Sequence, residues 1–298
     1  MKNQKKAMFF GSITVLLWST VASAFKLTLS YFAPIQMVLL ASITSVVLLF
    51  SIAAYQRKLS LLAKYFRKQP FFYMILGVIN PFLYYLILFK AYDLLPASQA
   101  QALNYTWAIT LTLLAVPFLG QKIRKQDWAA IILSYSGALI IATKGDILGL
   151  SFENPMGVGF ALLSTLIWAS YWIINAQNNN DPIVSLLLGF LLSLPFTITA
   201  TAIMADFNFD SFAGVMGAVY IGLFEMGIAF VLWLTAIKLA VNTAQVSNLI
   251  FISPFISLFL LSVIVGEEIH PSTFSGLVVI ICGLVVQQIK WQKKSLTA

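Results

Sequence analysis

Charged residues are scarce in this sequence: Asp, Glu, Lys and Arg make up 9% of its 298 residues, where a soluble domain carries roughly 25%. That scarcity excludes a soluble enzyme and a disordered regulator. A single cysteine, Cys282, excludes an intramolecular disulfide framework and any cysteine-built metal site. A single histidine, His270, leaves no pair of histidine ligands and only one residue for a Ser–His–Asp relay. With 16 glycines and 10 prolines the chain is neither fibrous nor of low complexity. No G-x-x-x-x-G-K-[ST] string occurs, which excludes an ATP-driven motor within this chain. What abounds is apolar: 60% of the residues are hydrophobic and the mean hydropathy is +0.91. The composition is that of a polytopic α-helical membrane protein, and it asks for no metal and no cofactor.

A helix crossing about 30 Å of hydrocarbon needs about 20 apolar residues. Ten such stretches are found, over 8–28, 35–54, 71–90, 97–119, 127–143, 155–176, 183–203, 212–237, 243–265 and 272–289. A barrel would show short alternating segments instead, and these are absent. The longest connections, over 55–69, 144–154 and 204–210, leave no room for a soluble domain. The expected fold is all-α, one compact bundle of ten transmembrane helices.

The first stretch imitates a secretory signal, with Lys2, Lys5 and Lys6 before an apolar run and Ala22-Ser23-Ala24 behind it. It is read as an uncleaved helix because it has a counterpart later in the chain, described below. With alternating spans, 15 of the 18 basic residues fall at the end that carries the N-terminus. They are Lys2, Lys5, Lys6, Arg57, Lys58, Lys64, Arg67, Lys68, Lys122, Arg124, Lys125, Lys238, Lys290, Lys293 and Lys294. Lys26, Lys90 and Lys144 fall at the other end, with Asp93, Asp146, Glu153, Asp206, Asp210, Glu267 and Glu268. Cytoplasmic loops retain Lys and Arg, so both termini are expected in the cytoplasm. The net charge of +8 is then a topology signal with some attraction to anionic lipid, and it calls for no nucleic acid.

The chain also repeats itself. An offset of 150 sets Trp18 on Trp168, Leu16 on Leu166 and Thr20 on Ser170. An offset of 145 sets Gly77 on Gly222, Ala91 on Ala236, Leu94 on Leu239 and Ser98 on Thr243. An offset of 146 sets Gly120 on Gly266 and Gly137 on Gly283. Common order and near-constant spacing divide the chain into two five-helix repeats, 1–145 and 146–298. Five is odd, so the second copy enters the membrane upside down. Inverted repeats of this kind are a recurring plan of secondary transporters, which hold substrate near the midplane between the halves.

Five strings carry a family resemblance: Leu17-Trp18-Ser19-Thr20, Asn104-Tyr105-Thr106-Trp107, Gly120-Gln121-Lys122, Ile167-Trp168-Ala169-Ser170-Tyr171 and Gly266-Glu267-Glu268. Together with the 5+5 plan they resemble the drug/metabolite transporter superfamily in its EamA-like branch, over nearly the whole chain. The second and third strings are most similar to the bacterial aromatic amino-acid exporters of that branch. Where those exporters usually have a proline after Asn-Tyr-x-Trp, this chain has Ala108. The resemblance implies a small-metabolite exporter of the bacterial inner membrane, with a central cavity lined by helices one, three, four, six, eight and nine.

Among candidate site residues Glu225 stands first, in the middle of the eighth span. A charged carboxylate at the bilayer centre costs about 2.5–3.5 kcal/mol even on insertion scales, so it faces protein, a wet cavity or a proton. It is read as a site for a substrate amine or a coupling proton; a neutral glutamic acid tying two helices together is the plainer alternative. At the offset of 145, Asn80 in the third span occupies the place of Glu225. Pro81 follows it and frees a backbone carbonyl one turn back, which either faces a cavity or merely accompanies a packing kink. Trp18, Tyr84, Tyr105, Trp107, Trp168, Tyr171 and Trp172 lie well inside spans, away from the interfacial belt. With Gln101, Asn104, Asn248 and Ser253 between them, they are expected to wall a polar-spotted aromatic pocket for a planar or cationic substrate. Pro81, Pro195 and Pro254 are candidate hinges. Lys26, Lys90 and Lys238 are expected to snorkel, and Cys282 to pack in helix ten.

The reading that follows is a secondary exporter of small amphiphilic metabolites, with amino acids the first substrates to try. Its partners are a small-molecule substrate and the lipid bilayer, and one chain carrying both halves is expected to act as a monomer. An importer or exchanger of a phosphorylated or nucleotide-linked metabolite would need cations deep in the cavity. A channel would need polar rings along one pore, and a lipid-modifying enzyme clustered acids or histidines at one interface.

Overall fold

The computed structural model describes residues 2–120, 122–149, 152, 154–175, 178–241, 245–246 and 248–288. Gln121, Glu153, Thr243, Lys290, Lys293 and Lys294, named above, lie outside the described residues. Among the described residues every regular element is a helix, and nine helical stretches are long and apolar enough to cross a membrane. Helix α1 (Gln4–Leu29) opens on Asn3, whose side chain accepts from the Lys6 backbone N–H at 3.0 Å. Helix α2 (Pro34–Tyr55) starts on a proline, where the missing N–H costs nothing, and the Gln36 side chain takes the Ala33 N–H at 2.8 Å. The connection expected over 55–69 contains a short helix, α3 (Ser60–Lys68). Its Leu62 and Tyr65 pack on the core while Lys64, Arg67 and Lys68 turn outward, the pattern of an interfacial amphipathic helix.

The third span is broken into α4 (Pro70–Gly77) and α5 (Tyr84–Leu94), and the fourth into α6 (Ala97–Asn104) and α7 (Trp107–Leu119). Gly120, at φ 64°, ends the fourth in the left-handed conformation that suits glycine. Helix α8 (Lys125–Ala142) occupies the expected fifth span. It falls outside the nine because Lys125, Gln126 and Asp127 take up its first turn, leaving 128–142 as its apolar length. There follow α9 (Pro155–Asn175) and α10 (Pro182–Met204); the latter is capped by Asp181, which accepts the N–H groups of Ile183 and Val184. The eighth span divides into α11 (Phe212–Phe224) and α12 (Ile228–Leu239), and the ninth into a 3-10 turn (Asn248–Ile252) and α13 (Ser253–Leu260). Helix α14 (Pro271–Gln288) closes the described chain.

Helix α1 is central. It packs against α5 and α6 on one side and against α11, α12 and α13 on the other. Helix α2 lies between α10 and α11, and α9 between α5 and α7. Helices α8 and α14 form the tightest pair, crossing where Gly137 meets the Gly276 backbone. Between apolar helices in lipid it is small residues that permit so close an approach.

The two ends of the bundle differ in charge. At the end holding the N-terminus, which we call the basic end, Lys58 pairs with Asp181 at 2.7 Å. Burial pushes the Asp181 carboxyl up, but the Lys58 ammonium and the two α10 N–H groups more than offset this and hold it below the usual carboxylate range. Asn3 and Gln4 bond to the end of α12, through Leu239 O and the Val241 N–H. At the opposite, far end, Gln36 reaches Asp206, and Asn154 reaches Leu94 O.

Candidate functional site

Four of the spans are discontinuous, and their breaks fall at corresponding places in the two repeats. Asn80 has extended backbone (φ −142°, ψ 119°) between α4 and α5, and its peptide bond to Pro81 is cis. Its counterpart Glu225 sits where α11 gives way to α12, before Gly227 at φ −116°, ψ −87°. The turn at Tyr105-Thr106 matches, at the same offset of 145, Ile250-Phe251 in the 3-10 turn of the ninth span. Broken spans expose backbone polar groups at bilayer depth, an arrangement tolerated only against protein or a water-filled space.

Such a space lies between the breaks. A cavity of about 150 Å³ is walled by Trp18, Val21 and Phe25 of α1; Tyr84, Leu88 and Tyr92 of α5; Gln101, Asn104, Tyr105 and Trp107 of the fourth span; and Trp168 and Trp172 of α9. Glu225, Phe230, Trp233 and Ile250 close it from the second repeat. Trp168 is the hub of the rings. Tyr84 stacks on it at 4.4 Å and Tyr171 at 5.5 Å, while Trp172 (5.7 Å), Phe230 (6.0 Å) and Trp107 (6.5 Å) meet it edge-on. Phe230 also touches Trp18 at 6.0 Å and so joins the two tryptophans that the repeat pairs.

The polar groups of this cavity are unevenly satisfied. Glu225 Oε1 accepts from the Tyr85 hydroxyl at 3.2 Å, whereas Oε2 is sealed from solvent and has no partner. Gln101 Oε1 and the indole N–H groups of Trp18 and Trp172 are likewise buried and unpaired. Asn104 donates to Ser164 Oγ at 2.9 Å. Buried polar groups normally find partners, and these four unpaired ones all belong to residues of the cavity wall.

Further spaces lie on the side of the basic end. Trp172 and Phe230 are shared with a second chamber lined by Asn80, Tyr171, Asn175, Asn178 and Asn180, and Pro182 and Leu234 are shared between that chamber and a wide mouth at Lys2, Lys58 and Lys238. Asn80 is buried there, facing Tyr171 without reaching hydrogen-bond geometry. At the far end no lining residue is shared with the outer recess at Lys26, Asp93, Asn154 and Glu267. Phe25 plugs that end against Phe89 (4.8 Å) and Tyr92 (5.3 Å). Above it Lys26 Nζ donates to Tyr92 O and Leu95 O, and the Glu267 carboxylate accepts the Ala97 and Ser98 N–H groups, each at 2.9 Å. Glu267 thus caps α6 of the other repeat with a charge at a helix N-terminus, which favours anions.

That cap gives a prediction about access. Glu267→Ala strips two N–H groups of a charged acceptor worth about 1.5–3 kcal/mol per bond. With Leu88→Cys as the reporter in a Cys282→Ser background, labelling by a membrane-impermeant thiol reagent from the far end is expected to rise about tenfold for each ~1.4 kcal/mol of closure lost. Unchanged labelling would assign the seal to the Phe25 plug alone.

Most residues expected to form the site meet in this chain of spaces, but their places differ. Trp18, Tyr84, Gln101, Asn104, Tyr105, Trp107, Trp168, Trp172 and Glu225 line the main cavity; Asn80 and Tyr171 line the inner chamber. Ser253 is buried behind the wall, where Ser19 donates to it at 3.1 Å. Asn248 corrects the expectation: it is exposed at the start of the 3-10 turn, and Ile250 faces the cavity instead. A turn of 3.0 residues rotates side chains away from the face that an α-helix would present. Of the candidate hinges, Pro81 adjoins a break and Pro254 stands in the first turn of α13, whereas α10 runs unbroken through Pro195. Phe230, Trp233, Phe25 and Tyr92 were not anticipated. At the offset of 145 Leu88 and Trp233 are counterparts that both line the cavity, whereas Tyr85, the counterpart of Phe230, is not among its lining residues.

Comparison with known proteins bears on the whole chain. A family model described as the EamA-like transporter family matches residues 5–143 and again 155–287. The aromatic amino acid exporter YddG of Ancylobacter novellus is 24% identical over 290 residues, which cover 95% of this chain and 96% of that protein. An uncharacterized transporter from the sor 3′ region of Acidianus ambivalens is 24% identical over 211 residues, 68% of this chain and 78% of its own. A solved structure described only as a crystal structure of protein superposes with a TM-score of 0.68 at 21% identity, covering 96% of this chain and 97% of its own, and so shares the fold.

Proposed function

We propose that this chain, which belongs to the EamA-like transporter family, exports small metabolites, amino acids or related amphiphilic compounds, across a bacterial inner membrane by alternating access. The family and both relatives are transporters, so the chain is a multi-pass membrane transporter and not an enzyme. The finer reading adds ten spans, α8 being the fifth, in two inverted halves, 1–145 and 146–298, with the basic end and both termini in the cytoplasm. One observation carries it. A ring-walled cavity with a single carboxylate, built from helix breaks that correspond in the two repeats, shares wall residues with the spaces that lead toward the basic end and shares none with the recess at the other.

In this reading the structure is the inward-facing form. Substrate enters past Asn180 and Asn80, settles among Trp18, Tyr84, Trp168 and Phe230, and displaces a proton from Glu225 or is displaced by one. Rocking of the halves, with Pro81, Pro195 and Pro254 as the places to bend, opens the Glu267 and Lys26 contacts while the basic mouth closes. The unit works as a monomer because one chain carries both halves. A phosphorylated or nucleotide-linked substrate is disfavoured because, among the described residues, no Lys, Arg or His lines the cavity. The test is flux from sealed proteoliposomes loaded with mixed amino acids and related metabolites, with a pH gradient imposed in either direction. Selective, gradient-dependent release of amino acids or their close relatives is expected. A pool that stays inside under every gradient would defeat the assignment.

A further inference from the structure

Charge inside the main cavity is of one sign. Among the described residues, Glu225 supplies the only carboxyl of the cavity wall, and no cationic side chain lines it. The lysines nearest along the walls serve elsewhere: Lys26 is held by two carbonyls at the far end, and Lys238 lines the basic mouth. The unpaired acceptors on the wall residues are Glu225 Oε2 and Gln101 Oε1, both buried, so that a small side-chain turn is needed to bring them to a ligand. Around them stand ring faces, and the negative face of an aromatic ring attracts cations. Against these, a ligand carboxylate would find only the neutral indole N–H groups of Trp18 and Trp172. It would also enter beside Glu225, and two like charges in a low-dielectric space with no counter-cation are the unfavourable case. The volume of about 150 Å³ is small for a ligand pocket and suits one ring system.

We propose that this cavity recognises its ligands through an ammonium group on an aromatic body, and that primary arylalkylamines bind in preference to the zwitterionic amino acids bearing the same ring. The proposal rests on the transporter reading of the same cavity and narrows it. The ammonium fills Glu225 Oε2 and Gln101 Oε1, the ring packs within the Trp18, Tyr84, Trp168 and Phe230 walls, and the carboxylate of an amino acid is a handicap. At neutral pH the amine is charged, so no proton need be supplied for it to bind.

Direct calorimetric binding to the full-length protein in nanodiscs, at neutral pH, tests this with ligands that share one indole ring: tryptamine, tryptophan amide, tryptophan and indole-3-propionate. Tryptamine and tryptophan amide are expected to bind about tenfold or more tighter than tryptophan, with no binding of indole-3-propionate. In Glu225→Gln the tryptamine advantage is expected to vanish; the wild-type series decides the matter even if that variant fails to fold. Tryptophan binding as tightly as tryptamine, or indole-3-propionate binding at all, would overturn the amine preference while leaving the transporter reading standing. So would flux of other pool members with no binding of tryptamine. Failure of every ligand here, together with no flux of any pool member, would overturn the amino-acid export reading of this cavity.

Discussion

Glu225→Gln is expected to yield a protein at least as stable as the wild type that moves substrate about tenfold or more slowly and ignores a pH gradient. The two halves of that expectation have different physical sources. Glutamine is nearly isosteric, and its side-chain oxygen still accepts from the Tyr85 hydroxyl, so packing at the α11–α12 break is preserved. It also removes an ionisable group from bilayer depth, where a charge costs about 2.5–3.5 kcal/mol on insertion scales, so thermal stability holds or rises. Function falls because the amide presents no charge to an ammonium and exchanges no proton. Gain of stability with loss of activity is the usual signature of a site retained for what it does. Thermal unfolding in detergent and gradient-driven release from proteoliposomes, on one preparation, measure both. A destabilised variant that still transports with full gradient dependence would mark Glu225 as a tie between helices. Asn80 offers an internal comparison: it is the counterpart of Glu225 but carries no ionisable group, so Asn80→Ala is expected to slow flux and leave the gradient dependence intact.

Much of this arrangement was legible in the residues, for reasons that also mark where legibility ends. The spans stood out because a helix in hydrocarbon is a long apolar run, and nine of the ten expected meet that standard among the described residues. The tenth, α8, spends its first turn on Lys125, Gln126 and Asp127, so length and hydropathy pull apart there. Asn80 and Glu225 were paired by the repeat offset before any geometry, and both fall at helix breaks. Phe230 and Trp233 stayed hidden because lipid-facing and cavity-facing positions are equally apolar; periodicity, which separates core from water in soluble helices, separates nothing here. Asn248 failed for the converse reason. A polar residue in an apolar run invites an inward placement, but the local 3-10 geometry turned it out. The α3 helix, with Leu61, Leu62 and Tyr65 set among Lys64, Arg67 and Lys68, reads only as a connection because it is too short to register as a span.

Trp168→Ala is expected to be the most damaging single truncation in the cavity, lowering both stability and flux. Five rings lie around the Trp168 indole, two of them stacked on it at 24° and 17° between planes and three edge-on. Aromatic pairs add about 0.5–1.5 kcal/mol each beyond the area they bury, and truncating a packed Trp or Phe to Ala costs about 3–5 kcal/mol. The void would open directly beside Tyr84 and Phe230, so the remaining walls lose the partner that fixes their orientation. A misplacement of about 1 Å in a binding wall is enough to cost on the order of a hundredfold where geometry governs the rate. Trp168→Phe separates the two consequences. It keeps a ring between Tyr84 and Tyr171, so flux is expected within a few-fold of wild type, whereas alanine falls about 10- to 100-fold. Trp128, more than half exposed on the outer face of α8, serves as the control, and Trp128→Ala is expected to leave flux unchanged. Should Trp168→Ala transport normally, the path would have to bypass this ring cluster. Trp172 also walls the chamber at Asn80, so Trp172→Ala would then become the deciding variant.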